Sequence, residues 1–117
     1  MDKLNDKELE KVNGGSIDSD LRADAQIYLS KAGRELVKAG QTFNAERNIQ
    51  NNKICREAVN LLMEAVHYVD EGVPWNVIRT TIGNALSLIN NISGNGVDEA
   101  KENIQKCCLM IDEHYHM

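Results

Sequence analysis

Strand-forming alternation is missing from this chain of 117 residues: aromatic residues make up 4% of it, proline occurs once, at Pro74, and no segment alternates β-branched with polar positions. A sheet needs such period-two segments to present one apolar face, so their absence excludes a β-rich fold. Long apolar runs are missing too. Nothing approaches the roughly 18 consecutive apolar residues of a membrane-spanning helix, and the N-terminal stretch lacks the run of about 7–15 on which general secretory signals depend. A chain of this kind that leaves the cell needs an exporter that reads something other than hydrophobicity.

A basic surface is also lacking. Thirteen Lys and Arg stand against eighteen Asp and Glu, for a net charge of −5 with both signs mixed along the chain. That pattern offers no attraction to phosphate backbones or anionic lipid, so nucleic acid is excluded as a partner. The three cysteines, Cys55, Cys107 and Cys108, form no CxxC pair and are odd in number, which fits neither a zinc site nor a dense disulfide framework. Thiols buried on helices are the expected role, with a disulfide from Cys55 to one of the adjacent pair after export as the alternative.

What is present is helical spacing, on a length that suits one domain. A short first segment, Leu4 to Val12, opens with Asn5 followed three residues later by Glu8, the spacing of a capping box. About nine residues are too few for a stable isolated helix, so this one is expected to be flexible, and Gly14 and Gly15 are expected to stop it. A second helix is expected from about Ile17 to Ala39, with Leu21, Ala25, Leu29, Ala32, Leu36 and Val37 on one face and Gly40 as its left-handed C-terminal residue. A third runs from about Thr42 to Val69 through Ile49, Ile54, Leu62 and Ala65, with Asn48, Asn51 and Asn52 as a point of kinking or splitting, and Gly72 ends it. Pro74 is expected at the first position of a fourth, carrying Trp75, Ile78, Ile82 and Ile89 toward Gly94. The last is expected to follow the Asn95-Gly96 turn, with Asp98 and Glu99 favouring its start and Ala100, Ile104, Cys107, Cys108 and Ile111 on its stripe. The expected fold is therefore all-α: a short flexible leader helix, then an antiparallel bundle of about four helices.

The segment LNDKELEKVNGG carries the functional signal. On a helix turning about 100° per residue, Leu4, Glu8, Val12 and Leu9 fall within about 140° of one another, giving three apolar anchors and one carboxylate on one face. That face is too small to make a domain and large enough to dock: burying a Leu or Val side chain contributes roughly 1.5–3 kcal/mol, so three anchors offset the ordering of a short segment. Gly14 and Gly15 follow with no Cβ, so the backbone can pass extended through a slot too narrow for any side chain. Exclusion of side chains before a scissile bond is a steric filter that selects Gly-Gly.

This arrangement resembles the double-glycine leaders of bacteriocin precursors and other substrates of peptidase-containing ABC transporters, whose common pattern is L-S-x-x-E-L-x-x-I-x-G-G. Leu4, Glu8, Leu9, Gly14 and Gly15 match it outright, while Asn5 stands for the usual Ser and Val12 for the usual Ile. The resemblance covers 15 of the 117 residues. It implies residues 1–15 as a leader, residues 16–117 as a helical cargo domain, and a partner transporter whose cysteine protease domain cuts between Gly15 and Ser16. Catalysis belongs to that partner. The precursor is then expected in the bacterial cytoplasm and the mature form outside, meeting the membrane only through the transporter.

Residues 16–117 hold ten basic and fourteen acidic side chains, a net charge of −4, which disfavours adsorption to anionic membranes. A bacteriocin-like activity is implied by the leader's resemblance; a secreted signalling or interaction protein and an unprocessed intracellular helix-bundle adaptor are the alternatives. No catalytic constellation, metal or cofactor is expected. The Glu113-His114-Tyr115-His116 stretch reads as a solvated tail, His67 as helix surface or boundary, and Trp75 as a core or boundary residue.

Overall fold

A computed structural model of the chain describes residues 14–115, and the regular elements among them are four helices: α1 (Gly14–Ala45), α2 (Ile49–Glu71), α3 (Trp75–Ile89) and α4 (Val97–Tyr115). The expected all-α class is what the described residues form. The expected leader helix, Leu4 to Val12, lies outside them. Each helix packs against its neighbours in the order α1, α2, α3, α4, and α4 closes back on α1. No Cα of α2 comes within 8 Å of one of α4, nor any of α1 within 8 Å of one of α3, so these pairs stand on the diagonals. The stripes expected from the spacing meet in the centre: Leu29, Leu36, Leu62, Ile82, Ile104 and Ile111 are fully buried. Val37 and Ile49, counted on those stripes, face outward instead, 47% and 73% exposed.

Helix boundaries follow from local chemistry, and four differ from expectation, among them the end of α3, which stops at Ile89 and does not run on toward Gly94. The helix expected to begin near Ile17 begins at Gly14, so the glycine pair expected to stop a helix forms the first turn of α1. The same helix was expected to end at Gly40 and instead continues to Ala45. Gly40 is buried against α2, where an added Cβ would lie 3.2 Å from the Asn52 Oδ1 and 3.5 Å from the Cys55 Cβ. Its lack of a side chain serves close helix approach, not a left-handed turn. The left-handed residue is Arg47, at φ 63°. Around it the Asn48 N–H donates to the Phe43 carbonyl at 2.8 Å and the Arg47 N–H to the Asn44 carbonyl at 3.0 Å, a Schellman closure built without glycine.

The asparagine cluster marks the break that divides the expected third segment. Asn48 caps α2, its side chain accepting from the Asn51 N–H at 3.1 Å. Gly72 ends the helix as expected, left-handed at φ 76°. Pro74, expected at the first helical position, sits one residue earlier as the cap of α3, its carbonyl accepting from the Val77 and Ile78 amides. The α3–α4 turn is held by Lys101, whose Nζ donates to the Ile92 carbonyl at 2.6 Å. Gly96 caps α4, with its N–H bonded to the Glu99 carboxylate at 2.8 Å, the expected role of an acidic first turn.

Side-chain ties also join neighbouring helices. Asn103 of α4 donates to Glu35 of α1 at 2.9 Å. Arg79 of α3 grips Asp112 of α4 through two bonds of 2.9 and 3.2 Å, and this bidentate contact holds the Asp112 carboxyl below its usual range against a smaller opposing effect of burial.

Candidate functional site

The proposed leader and its cut divide across the edge of the described chain. Leu4, Glu8, Leu9 and Val12 lie outside the described residues, whereas Gly14, Gly15 and Ser16 stand in the first turn of α1. The expected scissile bond, Gly15–Ser16, is thus at the N-terminal end of the longest helix among the described residues. Three residues further on, at Asp18, α1 is fastened to all three of its companions.

Asp18 is the centre of that fastening. Its Oδ1 accepts from the Trp75 indole N–H at 2.9 Å and from the Tyr115 hydroxyl at 3.0 Å, and its Oδ2 from the Arg22 Nε at 2.7 Å. Arg22 reaches on to donate to the Val69 carbonyl, at 2.9 Å, near the end of α2. Its guanidinium also lies 4.9 Å from the centre of the Trp75 ring, a cation–π distance. The Trp75 and Tyr115 rings stack 5.9 Å apart with 27° between their planes. One carboxylate with three donors therefore ties the start of α1 to the end of α2, the start of α3 and the end of α4.

The electrostatics follow from the contacts. Burial pushes the Asp18 carboxyl upward, but the bonds from Trp75, Arg22 and Tyr115 and the charge of Arg22 outweigh it and hold the group below its usual value. Burial, and then the bond to Asp18, push the Tyr115 hydroxyl up. Asp18 is ionised and Tyr115 neutral throughout the physiological range, the states that this bond requires.

Only part of this cluster has a signature in the sequence. Asp18 and Arg22 are four residues apart, the helical spacing of an ion pair. Trp75 is buried at 6% exposure, in line with a core or boundary role. Glu113, His114 and Tyr115 are exposed, as a solvated tail would be, and His116 lies outside the described residues, but Tyr115, 42% exposed, also stacks its ring on Trp75 and engages its hydroxyl. The cause is its position on α4, which brings residue 115 back to the start of α1. No local pattern reports a contact across 97 residues.

The remaining chemistry-bearing side chains do not converge. His67 is exposed on α2 and pairs with Glu71 at 3.0 Å. Among the described residues no three of His, Cys, Asp or Glu group as a metal site would require. The three thiols are free and buried. Burial drives Cys107 up to about 12, with Cys108 adding to the shift and Arg79 opposing it, and burial raises Cys55 and Cys108 as well. The disulfide considered between Cys55 and the adjacent pair does not fit this fold: a bridge needs Cα atoms within about 7 Å, and α2 and α4 nowhere come within 8 Å. None of the helices is long and apolar enough to cross a membrane, among the described residues.

We find no match of the chain to a protein-family model, to a curated protein or to a solved structure.

Proposed function

We propose that the chain is the precursor of a secreted polypeptide, recognised through Leu4, Glu8, Leu9 and Val12 by a peptidase-containing ABC transporter, cut between Gly15 and Ser16, and exported as residues 16–117. One observation carries the reading: between Leu4 and Gly15 five outright matches and two conservative replacements fall at the spacing of a double-glycine leader. The distribution of the core supports it. Buried residues run from Leu21 to Ile111, so the cut removes none of the described core. The ties between the start of α1 and the ends of α2 and α4 fit an antiparallel bundle that stands without the leader.

The cargo itself is not an enzyme in this reading and needs no cofactor. Its net charge of −4 and buried apolar stripes favour a secreted signalling or interaction domain over a membrane-lytic, bacteriocin-like one. Growth inhibition of related bacteria by residues 16–117 separates the two. Processing is tested by mass spectrometry of the medium of producing cells. A species beginning at Ser16 is expected; a chain found only inside the cell and beginning upstream of Leu4 fits the unprocessed adaptor and overturns the proposal.

A further inference from the structure

We propose that the folded precursor masks its own cleavage site: the Asp18 fastening must release before a protease can cut Gly15–Ser16. The inference rests on the leader reading above and goes beyond it by making the fold of the cargo a control on its processing.

The geometry is as follows. Gly14, Gly15 and Ser16 are helical, and in an α-helix their carbonyls accept from the amides of residues 18–20. A slot that admits only glycine requires the opposite form, an extended backbone, so those bonds must break for the chain to enter. Distance adds a second barrier. Three extended residues, from the scissile carbonyl of Gly15 to Asp18, span roughly 10 Å. With Asp18 held by Trp75, Tyr115 and Arg22, the start of α3 and the end of α4 stand that close to the bond to be cut. A protease cleft that encloses the chain on both sides of the bond meets the bundle before the bond reaches its nucleophile. Release of Asp18 lets the first turns of α1 swing away and unwind, while the core from Leu21 onward needs no wholesale unfolding.

The opening is therefore local, and a local opening has a distinct signature: it responds to the contacts that close it and not to stability at the far end of the molecule. Tyr115→Phe removes one donor to Asp18 and keeps the ring on Trp75. Val97→Ala weakens the core at the opposite end, where Val97 is fully buried.

The test uses the full-length precursor, a peptide of residues 1–24 as the unfolded reference, and the peptidase domain of a double-glycine-specific ABC transporter. The peptide is expected to be cut at least tenfold faster than the precursor. Tyr115→Phe is expected to speed cutting of the precursor roughly three- to tenfold, the effect of one lost charge-assisted bond that is partly open to solvent. Val97→Ala is expected to leave the rate unchanged. Equal rates for peptide and precursor, or acceleration by Val97→Ala as large as that by Tyr115→Phe, overturn the inference.

Hydrogen exchange at the amides of residues 18–20 reads the same opening without a protease. Tyr115→Phe is expected to speed exchange there by the same factor and not in the centre of α2; unchanged exchange at 18–20 overturns the inference. A peptide left uncut, with exchange responding as expected, sinks the leader reading and leaves the fastening in place.

Discussion

The indole N–H of Trp75 donates to Asp18 Oδ1 at 2.9 Å, across 57 positions of sequence, and sets the start of α3 against the start of α1. Because the acceptor is a carboxylate, this contact and its two companions carry a charge, and the charge has a pH at which it fails.

Asp18 and Asp112 are both held below the usual carboxyl value in the folded protein. The unfolded chain therefore takes up protons first as the pH falls, and the stability these groups contribute is present above about pH 4 and lost as the pH drops through their folded values. Urea unfolding midpoints are expected to fall as the pH drops below about 4 and to keep falling through the lowered folded values. Asp18→Asn is expected to be less stable at neutral pH and to show a shallower fall; an unchanged fall would mean that Asp18 is not held by these contacts.

Two turn residues give opposite expectations on substitution. Arg47 is left-handed at φ 63°, a conformation that costs a side-chain-bearing residue roughly 1 kcal/mol, so Arg47→Gly is expected to be neutral or to stabilise by up to about that amount. Gly96 is left-handed at φ 89°, and an added Cβ would lie 2.8 Å from the Glu35 carbonyl oxygen. Gly96→Ala is expected to cost about 2–3 kcal/mol, read as a lower urea midpoint.

The thiols are expected to stay unpaired and slow to react, since all three are buried and raised in pKa and the thiolate is the reacting form. Intact mass after mild oxidation of the folded protein should show three free thiols, with rapid labelling only in denaturant. A Cys55 cross-link to Cys107 or Cys108 would contradict the diagonal placement of α2 and α4.

Leader variants separate docking from cutting. Leu9→Ala and Glu8→Ala are expected to weaken processing through lost binding, roughly tenfold for a buried leucine truncated to alanine. Gly15→Ala is expected to abolish the cut while binding to the transporter's peptidase domain is kept. Equal processing of all three variants and the parent chain would remove the assigned roles.

What the sequence makes legible here is governed by range. Gly72 and Gly40 both follow an apolar stripe and look alike in sequence. One is left-handed and ends a helix, whereas the other lies inside a helix against Asn52 and Cys55, because the partner that decides its role lies on another element. Asn48 is readable as a point of splitting since a cap acts within three residues. The ion pair of Asp18 with Arg22 is similarly local. Trp75 and Tyr115 reach Asp18 only through the bundle, so that part of the fastening has no signature, and the docking face of Leu4, Glu8, Leu9 and Val12, legible from spacing alone, lies outside the described residues.

The closure of α4 onto α1 also orders events in time. Tyr115 follows Asp18 by 97 positions, and at roughly 5–20 residues per second a ribosome takes about 5–20 s to travel from one to the other. Until Tyr115 is made α1 lacks its final donor, and the motif from Leu4 to Gly15 leaves the ribosome well before Tyr115 does. Under the proposed function, a transporter that engages the nascent chain would meet the glycine pair before the bundle shuts, and one that arrives after synthesis would have to wait for the closed molecule to open.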